Sequence, residues 1–354
     1  MRGIWRSVCA FGAMAATAMG QPCGYESIVG FDLQPGVEFV QSAGWADLGD
    51  GGKWYVSGGL TTTNPDRLGN AGVMVESPTG GERLPGIDRL VYDFLAHDLG
   101  NGHKLYMAGL FVDSNGDHRG IATWDGTSVG FVGPVVNQRV ERLCVHTDAH
   151  GTFLYCAGQF TTADGQPVAG IARLVGDTFV PLGTGLVQGT SLGITGLVSF
   201  NDGSGPALFV SGHNLRQAGT VAADGIAKWN GISWSAQSLP DGSSYRSTGI
   251  AVYNDGQTSR LIATNRYDSV NGTLISWLSY WTGTTWQPFL PSPMMAVSTL
   301  ASIDFGAGES LAAGGGGYAQ DGRPNLMTFD GTQWSEHDLF DGPTGWTGIW
   351  GQRV

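Results

Sequence analysis

Three groups of side chains in this sequence have the type and spacing to do chemistry. Cys144 and Cys156 sit in two apolar runs joined by a turn near His150. That spacing sets them opposite each other on paired strands, as a cross-strand disulfide or as two buried thiols. "DSNGD" at 113–117 places Asp113, Asn115 and Asp117 at alternate positions, as the first oxygen ligands of a calcium loop would be. The sixth position is His118 and the twelfth is Trp124, where such a loop needs Gly and Glu, so the stretch reads as a turn. His97 and His146 fall at equivalent places in two repeats, with His103 and His150 in the turns beside them. Neighbouring histidines could hold zinc or copper, but exposed turn histidines are the simpler reading, and no metal or other cofactor is expected.

A wider set of polar residues has no catalytic spacing and suits binding instead. Asp113, Asp117, His118 and Arg119 lie in one loop, Asp164 and Gln166 in the next, and Arg216 and Gln217 in a third. Asp268 and Asn271 follow, then Gln320, Asp321 and Arg323. Loops held on a rigid scaffold are where recognition concentrates. Whether these form one surface depends on the elements that carry them.

Those elements repeat. The phrases "WYVSGG", "LYMAGL", "LYCAGQ", "LFVSGH", "LIATNR" and "LAAGGG" begin at residues 54, 105, 154, 208, 261 and 311. Each follows a turn such as "GNGH" or "NDGSG", with another apolar run before it, and each leads into a polar loop. After that loop comes a second recurring phrase: "GIATWDGTSV", "GIAKWNGISW", "LSYWTGTTW", "LMTFDGTQW". One unit reads strand, tight turn, strand, longer loop, strand, tight turn, strand. Such a unit every 50 residues or so is the signature of a β-propeller with four-stranded antiparallel blades.

The units run approximately 37–87, 88–138, 139–189, 190–241, 242–292 and 293–340, giving six blades. A seventh, composite blade built from the two chain ends is the alternative. Residues 21–36 and 341–354 are expected to close the ring. In the second phrase, Asp125-Gly126, Asn230-Gly231 and Asp330-Gly331 are expected at φ > 0 in two-residue hairpins. Ala227 should then face Trp234, with Trp229 diagonal to it on the same face. Trp124, Trp229, Trp234, Trp281, Trp286, Phe329 and Trp334 are therefore read as structural, packing one blade on the next. Leu174 and Phe179 fill these places in unit three.

Composition supports an all-β body. Gly accounts for 58 of 354 residues and Trp for 12, while the only lysines are Lys53, Lys104 and Lys228. Residues 1–20, with Arg2 and Arg6 before an uncharged stretch ending in small residues, read as a secretory signal peptide. The mature chain is then expected outside the cell, in the periplasm or at the cell surface, with Cys23 left near its start. No later apolar run is long enough for a membrane span. The formal net charge of −12 excludes non-specific binding to nucleic acid or anionic membranes.

"LYCAGQFTTADGQPVAGIAR" and "GIAKWNGISW" resemble repeats of secreted bacterial propellers of the kelch and galactose-oxidase-like superfamily, a group without an assigned activity. The resemblance spans nearly all of the mature chain but rests on structural residues. It implies a fold and no catalytic residues. The copper-radical constellation of that superfamily is missing, since the cysteines lie inside strands and the histidines are scattered in turns. "TFDGTQW" is one residue short of the spacing in sialidase repeats. The expected function is a non-enzymatic, monomeric scaffold that binds a protein or glycan through its loop-rich face. The alternatives are a carbohydrate-active hydrolase or lyase with carboxylates at the channel mouth, and a structural surface component.

Overall fold

The computed structural model describes residues 37–60, 70–77, 80–188, 193–213, 215–223, 225–237, 249–270, 273–293, 297–304, 309–315 and 326–337. The expected signal peptide, the two closing segments, Cys23, Asn271, Gln320, Asp321 and Arg323 lie outside the described residues.

Among the described residues, six four-stranded antiparallel sheets follow one another along the chain. Sheet one comprises β1 (Val37–Ala46), β2 (Lys53–Leu60), β3 (Asn70–Ser77) and β4 (Gly80–Arg83). Sheet two comprises β5 (Val91–Asp98), β6 (His103–Val112), β7 (His118–Trp124) and β8 (Val129–Val135). Sheet three has β9 (Val140–Asp148) and β10 (Gly151–Gly158), then the small ribbon β11 (Thr162–Ala163) and β12 (Gln166–Pro167), then β13 (Ile171–Val175) and β14 (Thr178–Pro181). After β15 (Leu186–Gln188), sheet four has β16 (Ile194–Asn201) and β17 (Pro206–Gly212). The ribbon strand β18 (Leu215–Ala218) pairs with β15 on one side and with β19 (Val221–Ala222) on the other, and β20 (Ile226–Trp229) and β21 (Trp234–Ala236) complete the sheet. Sheet five comprises β22 (Ile250–Asn254), β23 (Ser259–Val270), β24 (Thr273–Trp281) and β25 (Trp286–Pro288). Sheet six comprises β26 (Val297–Asp304), β27 (Glu309–Gly315), β28 (Leu326–Phe329) and β29 (Trp334–His337). The first strands of successive sheets lie side by side, β1 by β5, β5 by β9, β9 by β16, β16 by β22 and β22 by β26. That succession of sheets is how propeller blades are arranged.

The recurring phrase works because both faces of sheets two to five are covered. Successive side chains of a strand point to opposite faces, so the phrase is read by two neighbours at once. Leu154 and Cys156 pack toward sheet two, while Tyr155 and Ala157 pack toward sheet four. Leu208 and Val210 face sheet three, and Phe209 faces sheet five. Burying a large apolar side chain in this way contributes roughly 1.5–3 kcal/mol.

The aromatic pair at each outer hairpin packs backward onto the preceding sheet. Trp229 and Trp234 belong to the core between sheets three and four, and Trp281 and Trp286 to the core between sheets four and five. Phe329 and Trp334 serve the junction of sheets five and six. The second aromatic also donates a hydrogen bond to the chain leaving the sheet before it. Trp234 Nε1 reaches Leu182 O at 2.9 Å, Trp286 Nε1 reaches Gln237 O at 3.1 Å, and Trp334 Nε1 reaches Pro291 O at 2.7 Å.

Three details differ from the sequence expectation. Trp229 and Trp234 are direct cross-strand partners, and Ala227 faces Ala236. The turn spans Asn230 to Ser233, so the pairing shifts by two residues. Within it Gly231 takes φ +94°, whereas Asn230 does not enter the left-handed region. Asn230 instead accepts the backbone N–H groups of Ile232 and Ser233 on its Oδ1. Asp125 and Asp330 do the same in their turns. Left-handed φ at both residues occurs at Asp164 (47°) and Gly165 (74°), the turn of the β11–β12 ribbon.

Cys144 and Cys156 are not opposite each other. Cys144 pairs with Tyr155 and Cys156 with Leu143. The hairpin closes at Asp148 and Gly151, half a residue from the expected centre at His150. A one-residue offset sends the two thiols to opposite faces of the sheet. Cys144 lies in the core toward sheet four and Cys156 in the core toward sheet two, so no disulfide joins them.

Candidate functional site

The first strands carry a repeated irregularity that builds a polar site. On β5 the register slips between Val91 and Asp93, leaving Tyr92 out of the ladder. On β9 it slips between Val140 and Arg142, leaving Glu141 out, and on β16 between Ile194 and Gly196, leaving Thr195 out. These bulges sit where the incoming backbone crosses the end of the second strand. At Gly158 a Cβ would lie 2.4 Å from Arg139 O and 2.8 Å from Val140 Cα. The glycine of the "LYCAGQ" phrase is thus needed for close approach, with the bulge beside it.

Charged residues at these bulges tie three sheets together. Asp93 accepts the Leu143 N–H of sheet three on Oδ2 at 2.9 Å and the Phe94 N–H on Oδ1 at 3.1 Å. Glu141 accepts the Ile194 N–H of sheet four on Oε2 at 2.8 Å. Arg142 donates from Nε to Thr195 O at 3.2 Å, and from Nη1 to Tyr92 O at 3.1 Å and Glu141 O at 2.6 Å. All three side chains are buried. Burial pushes the Asp93 carboxyl up to about 7, against the pull of the Arg142 charge and the two N–H donors.

Above this layer lies a more open group. Arg139 donates from Nε to Glu141 Oε1 at 2.8 Å, and Gln159 Nε2 donates to the same oxygen at 3.2 Å. The Arg139 guanidinium lies over the Tyr92 ring, 5.0 Å from its centroid. The Arg139 side chain is 30% exposed while that of Glu141 is 4% exposed, so a buried carboxylate fixes a cation that reaches solvent. Among the described residues no group hydrogen-bonds the two terminal nitrogens of Arg139. The neighbouring loop is anchored here too. Asn137 Oδ1 accepts the N–H groups of Thr161 and Thr162, and Gln159 N donates to Arg139 O. Loop 159–170 and the start of β9 therefore form one surface.

The residues singled out in the loops mostly hold their own loops. Asp113 accepts the N–H groups of Asn115 and Asp117 on Oδ1 and Arg119 Nε on Oδ2 at 2.8 Å. The Arg119 hydrogen bond and those N–H groups keep its carboxyl below the usual range. Arg119 also donates to Gly133 O. Asp117 and His118 are exposed at the same turn. Asp164 accepts the Val135 N–H on Oδ1, and Gln166 is exposed on the ribbon. Arg216 is exposed on β18, Gln217 donates to Gly219 O, and Asp268 lies on β23 opposite Ile275. The structure gathers Asp113, Asp117, His118 and Arg119 at one turn and leaves Asp164 and Gln166, Arg216 and Gln217, and Asp268 on other ribbons and strands.

Two of the histidines read as possible metal ligands, His146 and His150, have other partners. His146 is buried between sheets three and four, with Nδ1 2.8 Å from Ser199 Oγ and its ring edge-on to Tyr155. Burial holds its pKa below the ordinary value. His150 is exposed, with Nδ1 3.3 Å from Asp148. Among the described residues no three or more His, Cys, Asp or Glu are grouped to hold a metal ion, and no helix is long and apolar enough to cross a membrane.

Tyr92, Asp93, Arg139, Glu141, Gln159 and Arg142 escaped the reading of the sequence, which looked for function in loops. For all but Gln159 a signal was present in "RLVYDFLA" and "QRVERLCVH", where charge interrupts strands that should be apolar on both faces.

No family model matches the chain, and no curated protein matches it. Among solved structures, the chain is similar to the GH74 xyloglucanase of Xanthomonas campestris at 14% identity and a TM-score of 0.49. That alignment covers 85% of this chain and 52% of the other, so the chain spans about half the length of that protein. It is also similar to the GH43_1 enzyme of Xanthomonas citri at 13% identity and a TM-score of 0.34, covering 78% of this chain and 82% of that one. The structure of that enzyme with xylotriose gives 14% identity and a TM-score of 0.32, covering 79% and 82%. These likenesses concern backbone arrangement and transfer no substrate or residue to this chain.

Proposed function

We propose that this chain is an exported, monomeric propeller of six blades that binds an extended carbohydrate at the head of the first strands of sheets two to four. The arrangement of Tyr92, Arg139 and Glu141 carries the reading. A partly exposed ring stacked under a guanidinium that a buried carboxylate holds in place offers some aromatic surface beside fixed donors. Sugars present the matching pair of features, C–H faces and hydroxyl groups. Loop 159–170, pinned to the start of β9, supplies one wall. Little side-chain ordering remains to be done on binding, which favours affinity.

Hydrolysis is the second reading, favoured by Asp93, whose carboxyl is protonated near neutrality as a general acid must be. Against it, each oxygen of Asp93 and of Glu141 already accepts a hydrogen bond within the protein. These carboxylates anchor backbone, and binding without cleavage is the better fit. Affinity electrophoresis through gels cast with neutral glucans, mannans and galactans tests both readings. Retardation without new reducing ends is expected. Reducing ends lost in the Asp93→Asn protein would establish the hydrolase, and no retardation in any gel would overturn the carbohydrate reading.

A further inference from the structure

We infer that Arg139 is a carboxylate-binding fork, and that the carbohydrate taken at this site carries uronate groups spaced along an otherwise neutral backbone. The inference rests on the carbohydrate reading and goes further by naming the group recognised. Arg139 has its Nε engaged by Glu141 Oε1 at 2.8 Å, which fixes the plane of the guanidinium. The Tyr92 ring beneath it fixes that plane from a second direction. Glu141 is held in turn by Gln159 Nε2 and the Ile194 N–H, so the anchor cannot swing away. What remains is a partly exposed cation whose two terminal nitrogens have no partner among the described residues. A planar fork with parallel N–H groups matches a carboxylate in a bidentate way that a hydroxyl cannot.

The rest of the chain narrows the ligand. With 30 acidic residues against 18 basic ones, the protein repels a dense polyanion. One or a few carboxylates on a neutral polymer meet the fork without meeting that repulsion. The stacked Tyr92 favours a sugar ring beside the carboxylate over a peptide chain carrying it.

Matched pairs of polymers test this. A soluble β-glucan, a mannan and a galactan are each compared before and after partial oxidation of primary hydroxyls to carboxylates, with binding measured by titration calorimetry. At least one oxidised polymer is expected to bind roughly tenfold or more tighter than its parent, the scale of a charge-assisted hydrogen-bond pair. Arg139→Gln should remove that gain, so that an oxidised polymer binds no more tightly than its parent, whatever part of parent binding is lost with the guanidinium donors. Arg139→Lys, which keeps the charge and loses the fork, should retain only a small part of it. Circular dichroism of both variants checks that they fold. Equal binding of oxidised and parent polymers overturns the fork while the carbohydrate reading stands. No binding of either member of any pair overturns the carbohydrate reading itself. Binding of a neutral peptide carrying one or two widely spaced glutamates as tight as that of the oxidised polymers overturns the choice of a sugar acid.

Discussion

Replacing Asp93 with Asn should change the pH dependence of stability in a direction that is fixed in advance. In the folded protein the carboxyl keeps its proton up to about pH 7, whereas the unfolded chain releases it near the ordinary value of 3.8. Between these values the unfolded state binds fewer protons than the folded state, so stability falls as pH rises through the window and levels off above it. Each unit of separation corresponds to about 1.4 kcal/mol, so the ionised form destabilises the wild-type fold by about 4 kcal/mol above pH 7. Asn carries no such penalty. It can still accept one backbone N–H, from Phe94 or Leu143, but its own N–H₂ group faces the other, which costs about 1–3 kcal/mol at every pH. The variant should therefore be less stable than wild type at pH 4 and more stable at pH 8. Urea melts at half-unit intervals across that range, compared as the difference between the two proteins, give the measurement. His146 loses stability with acid in both proteins and cancels in the difference. A difference that does not vary with pH would show that Asp93 ionises as freely in the fold as in the unfolded chain, and the account of its burial would be wrong.

Other substitutions probe the remaining features. Trp234→Phe keeps an aromatic ring but removes part of the buried indole and its donor to Leu182 O, and should lower stability by about 1–3 kcal/mol in denaturant melts, while Trp234→Ala should cost about 3–5 kcal/mol. Gly158→Ala forces a Cβ against the backbone of Arg139 and Val140, so it should lower stability by about 1–3 kcal/mol and also weaken carbohydrate binding in the same gels. Cys144 and Cys156 lie on opposite faces of sheet three and are buried. In a Cys23→Ser background, reductant should leave the melting temperature unchanged, and the thiols of Cys144 and Cys156 should react with an alkylating reagent only in denaturant.

The repeat and its four antiparallel strands could be read directly from the sequence, because turn residues and apolar runs recur at a constant interval. Pairing register could not be read to the same accuracy. Whether a turn centres on His150 or half a residue earlier decides which face Cys156 occupies, and only packing on both sides settles it. The turn residues misled for a similar reason. Asp125, Asn230 and Asp330 suit both a left-handed backbone and a side chain that caps the turn, and here the capping role prevails. The candidate site was hidden more deeply. Tyr92 belongs to one repeat and Arg139 and Glu141 to the next, and no local pattern announces that two bulges will bring them together. Charges inside an apolar strand were the available clue.

The indole hydrogen bonds also set an order of assembly. Trp234, Trp286 and Trp334 each reach back to a carbonyl that belongs to the repeat made just before. During synthesis a repeat is therefore fastened only when the next one has emerged, and the growing end always carries one that is unfastened. A chain truncated between repeats should leave its last sheet untied, so the shortest well-behaved fragments would end after an aromatic hairpin whose exit strand has been trimmed away.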